Sequence, residues 1–420
     1  MFLRTFICIA PICLMWLTAT FEAGASLCTS RPLPDRCLES LPAEHWGRTY
    51  RLKPLDPARY QEAAQNCAPA IRRNPSNTSL RVAIATVLFN AGKRDEAGRL
   101  LSAPDLENDR LALYSRADFL YRAWNGWDKL PEMVRLAERA VAAGSPDAVV
   151  LLGYAYEEGI AWQADEGAAY FLYLKAARQG CAEGMVKVGM YRQFGTYVER
   201  NWEKALKWYL RAAEAGDAFG MFRAGYVYDE GPADLRDTAK AIAWCRRSAR
   251  LGFEDAMLNL GWMYRHGKGV RQDYRRALYW YRKSYRAGVR HALNNLGVMY
   301  LNGLGVGKDT RRARAYFLAA AADRRNIAAM RNLGYRYGLS GSPANRSGPA
   351  AYFWLYAAYR RTDNAGIRAD LRLDLIDRER ALSRTGARRV RKDAVNWLNG
   401  GALRSGYRKG IPDLADVGPP

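Results

Sequence analysis

Ala256-Met257-Leu258-Asn259-Leu260-Gly261-Trp262-Met263-Tyr264 runs on to Gly267 and Gly269 and then to Ala277-Leu278-Tyr279-Trp280-Tyr281, and this pattern of residue types occurs six times. Aligned on the glycine after the Leu-type residue, the copies fall at Gly153, Gly189, Gly225, Gly261, Gly297 and Gly334, in four steps of 36 residues and one of 37. A period so constant, within the 20–50 residue range, is the mark of helix pairs stacked as a solenoid. The expected fold is all-α: a right-handed superhelical solenoid of antiparallel helix pairs. Each pair buries its apolar face against its neighbours, so 420 residues need no single large core.

Every copy has the same internal logic. The first helix, A, carries a small residue five before the aligned glycine: Ala148, Gly184, Gly220, Ala256, Ala292 or Ala329. A Tyr usually follows three after it, at Tyr156, Tyr228, Tyr264, Tyr300 and Tyr337. These positions share one face of a 3.6-residue helix, where the small ones let a second helix come close. Gly159, Gly195, Gly231, Gly267 and Gly303 are expected to end helix A with positive φ. The second helix, B, opens on Ala205, Ala241, Ala277, Ala313 or Ala350 and brings Trp208, Trp244, Trp280, Tyr316 and Phe353. Gly180, Gly216, Gly252 and Gly288 turn the chain into the next copy.

The run from Ala256 to Val270, with Asp273, Ala277 and Trp280-Tyr281, resembles the Sel-one-like repeat (SLR), a relative of the tetratricopeptide repeat. The resemblance covers residues 147–363, six SLR copies in register. Three copies depart from it in the turn: Gly195-Thr196-Tyr197, Gly231-Pro232-Ala233 and Ser340-Gly341-Ser342-Pro343 replace Gly-x-Gly-Val. The resemblance implies a non-enzymatic protein, since exported SLR proteins act as assembly scaffolds, as regulators of envelope sensors or in host interaction. Some cysteine-rich members bind wall-related compounds, but their regular disulfide in each repeat is absent here.

Around the repeats the chain divides as follows. Residues 1–25 read as a signal peptide: Arg4, an apolar run from Phe6 to Phe21, then Ala23-Gly24-Ala25 with the cut after Ala25. A retained anchor is the alternative, because the apolar run approaches membrane-spanning length. Residues 26–58 form an irregular lead-in with five prolines, and 59–146 form TPR-like helical turns around Ala91-Gly92-Lys93-Arg94-Asp95-Glu96-Ala97. Residues 364–400 supply C-terminal capping helices, and 401–420 a flexible tail. The protein is thus expected in the periplasm or outside the cell.

The net charge is +23 and the pI near 9.8. Such charge attracts polyanions, but the Arg residues are spread over many repeats, and export argues against nucleic acid as the partner. Beyond the signal, Cys28, Cys37, Cys67, Cys181 and Cys245 remain, an odd number for an oxidising compartment. Cys28–Cys37 is the simplest bridge, with the connectivity left open. Cys245 holds the aromatic position of Tyr209 and Tyr281 and is expected as a buried small hydrophobe.

Catalytic chemistry finds no footing in the pattern. The three histidines, His45, His266 and His291, stand beside no nucleophile or metal ligand at a telling spacing, and no catalytic or phosphate-loop motif is present. Glu157-Glu158 and Asp229-Glu230 recur at equivalent helix ends, as solvated acidic pairs do. No catalytic residue, metal site or cofactor is expected. A partner is expected instead on a concave stripe of helix A, six and three residues before the aligned glycine and one and four after it. The stripe comprises Tyr154, Glu157, Met190, Gln193, Tyr226, Asp229, Trp262, Arg265, Asn294, Val298 and Tyr335. The expected partner is a protein or peptide. An acidic polysaccharide or wall polymer such as peptidoglycan is the alternative, and membranes would be met only by surface association.

Overall fold

The structure, a computed structural model, describes residues 78–404 and Tyr407, apart from 91, 123–128, 161–162, 323, 337–347 and 405–406. The signal peptide, the lead-in, the Cys28–Cys37 bridge, the first helix of the 59–146 segment and most of the tail therefore lie outside the described residues.

Eighteen α-helices and no strand occur among the described residues. Ahead of the repeats stand α1 (Thr78–Asn90), α2 (Arg94–Leu101), α3 (Arg110–Arg122) and α4 (Leu130–Ala142). The repeats supply α5 (Pro146–Glu157), α6 (Glu166–Arg178), α7 (Ala182–Phe194), α8 (Trp202–Glu214), α9 (Ala218–Glu230) and α10 (Thr238–Arg250). They continue with α11 (Glu254–His266), α12 (Tyr274–Arg286), α13 (His291–Asn302), α14 (Thr310–Ala321), α15 (Ile327–Arg336) and α16 (Pro349–Arg361). Two longer helices follow, α17 (Ala365–Arg380) and α18 (Arg384–Leu398). The chain forms two compact units, one ending at Ala256 and the other running from Met257.

In the first unit each helix from α5 to α9 packs on the helix before it and the helix after it, and α10 packs on α9. Helices A of successive pairs also touch: α1 with α3, α3 with α5, and α7 with α9. In the second unit α12 to α16 pack in the same consecutive manner, and α17 and α18 both rest on α16. Its core runs from Tyr264 through Phe317 and Trp354 to Trp397 and Tyr407.

Local chemistry sets the helix ends. Asp165, Asn201, Asp237, Asp273 and Asp309 cap α6, α8, α10, α12 and α14, each side chain accepting from the backbone N–H three residues on. Gly159, Gly195, Gly267 and Gly303 end helices A at φ of +65°, +77°, +70° and +67°, as the period predicts. Gly231 does not: its φ is −67° and its ψ −175°. Pro232 follows it, and the residue before a proline is driven into extended backbone.

The aligned glycines are where helix B meets helix A. A Cβ on Gly153, Gly189 or Gly261 would stand 2.5–2.6 Å from the ring of Tyr173, Tyr209 or Tyr281, all three wholly buried. Phe317 lies on Gly297 in the same way, and Cys245 on Gly225. The glycine is therefore a seat for an aromatic ring, and burying a ring of that size contributes about 2–3 kcal/mol.

Candidate functional site

In the first unit the expected stripe divides into residues that are enclosed and residues that stay half-exposed. Tyr154, expected to be exposed along a groove, is 5% exposed. Its ring stacks on Tyr121 of α3 (6.2 Å) and meets the edge of Tyr173 of α6 (5.7 Å). The Lys187 ammonium of α7 sits 4.3 Å above it. Its hydroxyl donates to Glu183 Oε1 across 2.6 Å. Gln193 and Asp229 are likewise buried rather than lining an open face. For Tyr154 and Gln193 the cause is the same: helix A is walled by its own B helix, by the preceding pair and by the next A helix, so little of its circumference reaches water.

Glu157 is the centre of this packing. Its Oε2 accepts from Tyr173 Oη (2.6 Å) and Lys187 Nζ (2.7 Å), and its Oε1 from Tyr191 Oη (3.4 Å). The Lys187 side chain is 9% exposed and that of Glu157 29%. One repeat on, Gln193 Oε1 accepts from Tyr209 Oη (2.8 Å) and from Arg223 Nη2 (2.5 Å). The same device thus occurs twice: an acceptor four after the aligned glycine, a Tyr from helix B, and a cation from the next helix A. Upstream, Tyr121 donates to both Glu158 oxygens at 3.2 Å.

Burial pushes the Tyr173, Tyr191 and Tyr121 hydroxyls well above the ordinary phenol range, and the neighbouring carboxylates, Glu157 for the first two and Glu158 for the third, add to it. They remain protonated donors. Burial also raises the Glu158 carboxyl, against the lowering effect of the Tyr121 hydrogen bond. The arrangement fixes carboxylate and amide acceptors in place and locks consecutive repeats in register. Met190 and Tyr226 stay half-buried, with the Arg223 guanidinium 5.6 Å from the Tyr226 ring.

In the second unit Trp262 is half-buried, its ring 4.6 Å from His266 and 5.3 Å from the Lys268 ammonium. Arg265 is half-exposed, and its carbonyl accepts from Gln272 Nε2 at 2.8 Å. Asn294 accepts from Asn332 Nδ2 at 2.9 Å. Val298 and Tyr335 pack on the unit's core, and Tyr335 Oη donates to Asp374 Oδ2 of α17 at 2.6 Å. Among the described residues no group of three or more His, Cys, Asp or Glu is placed to hold a metal ion, and no helix is long and apolar enough to cross a membrane. Cys181, wholly buried at the start of α7, is disulfide-bonded, and Cys245 is a reduced, buried thiol.

The polar ladder was not foreseen, yet a signal for it stands in the sequence. Glu157 and Lys187, like Gln193 and Arg223, are 30 residues apart on helices that otherwise carry mainly small and apolar residues.

The model of the Sel1 repeat matches six stretches: residues 146–181, 182–217, 218–253, 254–289, 290–323 and 327–363. Among solved structures, a Sel1 repeat protein from Oxalobacter formigenes is 28% identical, with 57% of this chain and 96% of that chain covered and a TM-score of 0.48. A protective antigen from uropathogenic Escherichia coli, displaying an SLR fold, is 19% identical, with 86% and 83% covered and a TM-score of 0.43. An immunity protein from Pseudomonas aeruginosa is 20% identical, with 50% and 80% covered and a TM-score of 0.37. No curated protein matches the chain.

Proposed function

The chain belongs to the Sel1 repeat family, whose repeats form a scaffold that commonly mediates protein–protein contact, and from that premise we propose that it is a non-catalytic, exported scaffold for a protein or peptide partner. Each unit offers its own half-exposed remainder of the helix-A stripe for such contact: Met190, Tyr226 and the rim of Glu157 in the first, Trp262 and Arg265 in the second. Its setting is envelope assembly, regulation of a sensor or contact with a host.

The observation that supports this reading is that the partly accessible aromatic side chains of helices A are held by neighbouring side chains. Arg223 lies by the Tyr226 ring and is itself tied to Gln193, and Trp262 is braced by His266 and Lys268. Aromatic anchors fixed before binding lose little side-chain entropy on contact. The apolar run from Phe6 to Phe21 before Ala23-Gly24-Ala25 supports export, as does the disulfide at Cys181, since such bonds persist in oxidising compartments.

The test is capture of partners from envelope extract by the exported protein and by Tyr226→Ala/Trp262→Ala, with bound proteins identified by mass spectrometry. The double variant should melt as the parent does and lose the partner. Equal capture by both proteins rejects the assignment of the stripe.

A further inference from the structure

The outer face of helices B in the first unit carries a second periodic feature. In α6, α8 and α10 the same three register positions, 18, 22 and 25 residues after the aligned glycine, are exposed. They are Phe171, Lys175 and Arg178, then Lys207, Arg211 and Glu214, then Ala243, Arg247 and Arg250. Six of these nine are basic and one is acidic, so the face is cationic by composition and not merely polar. Helix C-termini favour cations, which accounts for some of the bias. It does not account for what lies beneath the middle row.

Lys175, Arg211 and Arg247 form that row, and none of the three makes an ion pair among the described residues. The Arg211 guanidinium lies 4.4 Å from the Trp208 ring centre and that of Arg247 lies 4.6 Å from Trp244. Both tryptophans are half-buried, and both helices pack on α9. A guanidinium resting on an indole keeps its planar fork of N–H donors pre-set for a bidentate anion. On α6 the counterpart is an exposed aromatic surface instead: Phe171 is 59% exposed and Tyr197 55%, with ring centres 6.0 Å apart. Tyr197 holds φ of +59°, the left-handed region that Gly269 and Gly305 occupy in later copies. A bulky residue in that region carries strain, here while presenting a ring to solvent.

We infer that this face binds an acidic polysaccharide, each cation of the row taking a different carboxylate along the polymer while Phe171 and Tyr197 pack against the apolar faces of the sugar rings. Charge complementarity selects a polyanion, and the forks held by Trp208 and Trp244 match carboxylates. The register selects a linear polymer with a regular repeat. An anionic lipid surface would be met equally well by cations in any phase. The site is separate from the helix-A stripe and does not depend on the partner proposed for it.

The experiment uses the whole exported chain and immobilised polyuronate, with neutral dextran as the blank and a salt series. Lys175→Gln/Arg211→Gln/Arg247→Gln should weaken binding roughly tenfold or more, each lost charge-assisted contact contributing. Arg384→Gln/Arg388→Gln/Arg389→Gln removes the same charge from α18 and should change it less than about twofold. Arg211→Lys/Arg247→Lys, which keeps charge and loses the fork, should fall between the parent and the triple variant. Unchanged melting of each variant establishes that the fold is intact. Equal loss in the α18 variant, no retention of the parent on polyuronate, or tighter capture by phosphatidylserine vesicles than by the polymer overturns the inference.

Discussion

The ring of Tyr197 lies over Gly167 so closely that a Cβ on that glycine would stand 2.7 Å from it. In the second unit the positions are reversed. Gly305 holds the place of Tyr197, and a Cβ there would come within 2.6 Å of the Tyr274 backbone, next to Arg275, which holds the place of Gly167. At each of these two crossings one side is a glycine, on the B helix in the first case and in the turn in the second.

Alanine at the two glycines should therefore differ in effect. Gly305→Ala meets rigid backbone at φ of +69° and should cost about 2 kcal/mol or more. Gly167→Ala meets the far end of an exposed ring that can swing outward, and should cost less than about 1 kcal/mol. Thermal melts of both variants check the order, and a reversed order would show that the Tyr197 ring is fixed.

Gly261→Ala tests the ring seat within a repeat. The Cβ would come 2.5 Å from a Tyr281 ring with no exposure, so the ring cannot move aside, and a loss of about 1–3 kcal/mol is expected. Urea unfolding measures it, and a neutral result would mean that the two helices separate without cost.

Asp118 gives a dependence on pH. Burial pushes its carboxyl from 3.8 up to about 6, against the lowering effect of Arg122, whose Nη1 lies 3.5 Å away. A raised carboxyl pKa means that the folded state binds the proton more readily than the unfolded chain. The contribution is fully present below about pH 4 and is lost as pH rises through about 6. Relative to Asp118→Asn, the parent should therefore gain on the order of 2–3 kcal/mol between pH 7 and pH 4. Urea midpoints of the two proteins across that window provide the check, and parallel curves would reject the shift.

Processing and thiol chemistry test the compartment. The exported protein should begin at Ser26, read by N-terminal sequencing. Cys245, with no exposure, should react with iodoacetamide only after unfolding, and Cys181 only after reduction as well.

The fold was legible because its signals are local and repeated. Gly153 to Gly334 gave the period, and Gly195, Gly267 and Gly303 gave the turns. The stripe was legible only in part. Its phase was derived from a helix with one packed face, whereas α7 is buried around most of its circumference, from Ala182 to Gly189. Tyr154 and Gln193 are enclosed for that reason. The contrast was present in the text of the helices: A segments such as Ala-Glu-Gly-Met-Val-Lys-Val-Gly carry small and apolar residues on every side. B segments such as Trp-Glu-Lys-Ala-Leu-Lys-Trp-Tyr keep a charged side for water. At Gly231, in one of the turns that depart from Gly-x-Gly-Val, Pro232 replaces the expected positive φ with extended backbone.

The ladder of Glu157 with Lys187 and Gln193 with Arg223 bears on how such a chain can change its length. Excision of the block from Ala182 to Asp217 would bring Arg223 to the place Lys187 now holds, opposite Glu157, with opposite charges still facing. A deletion in this stretch that is not a whole repeat would place Glu157 opposite a residue of another register. Gain or loss of this one 36-residue block is thus a change of length that leaves the charges of the ladder matched.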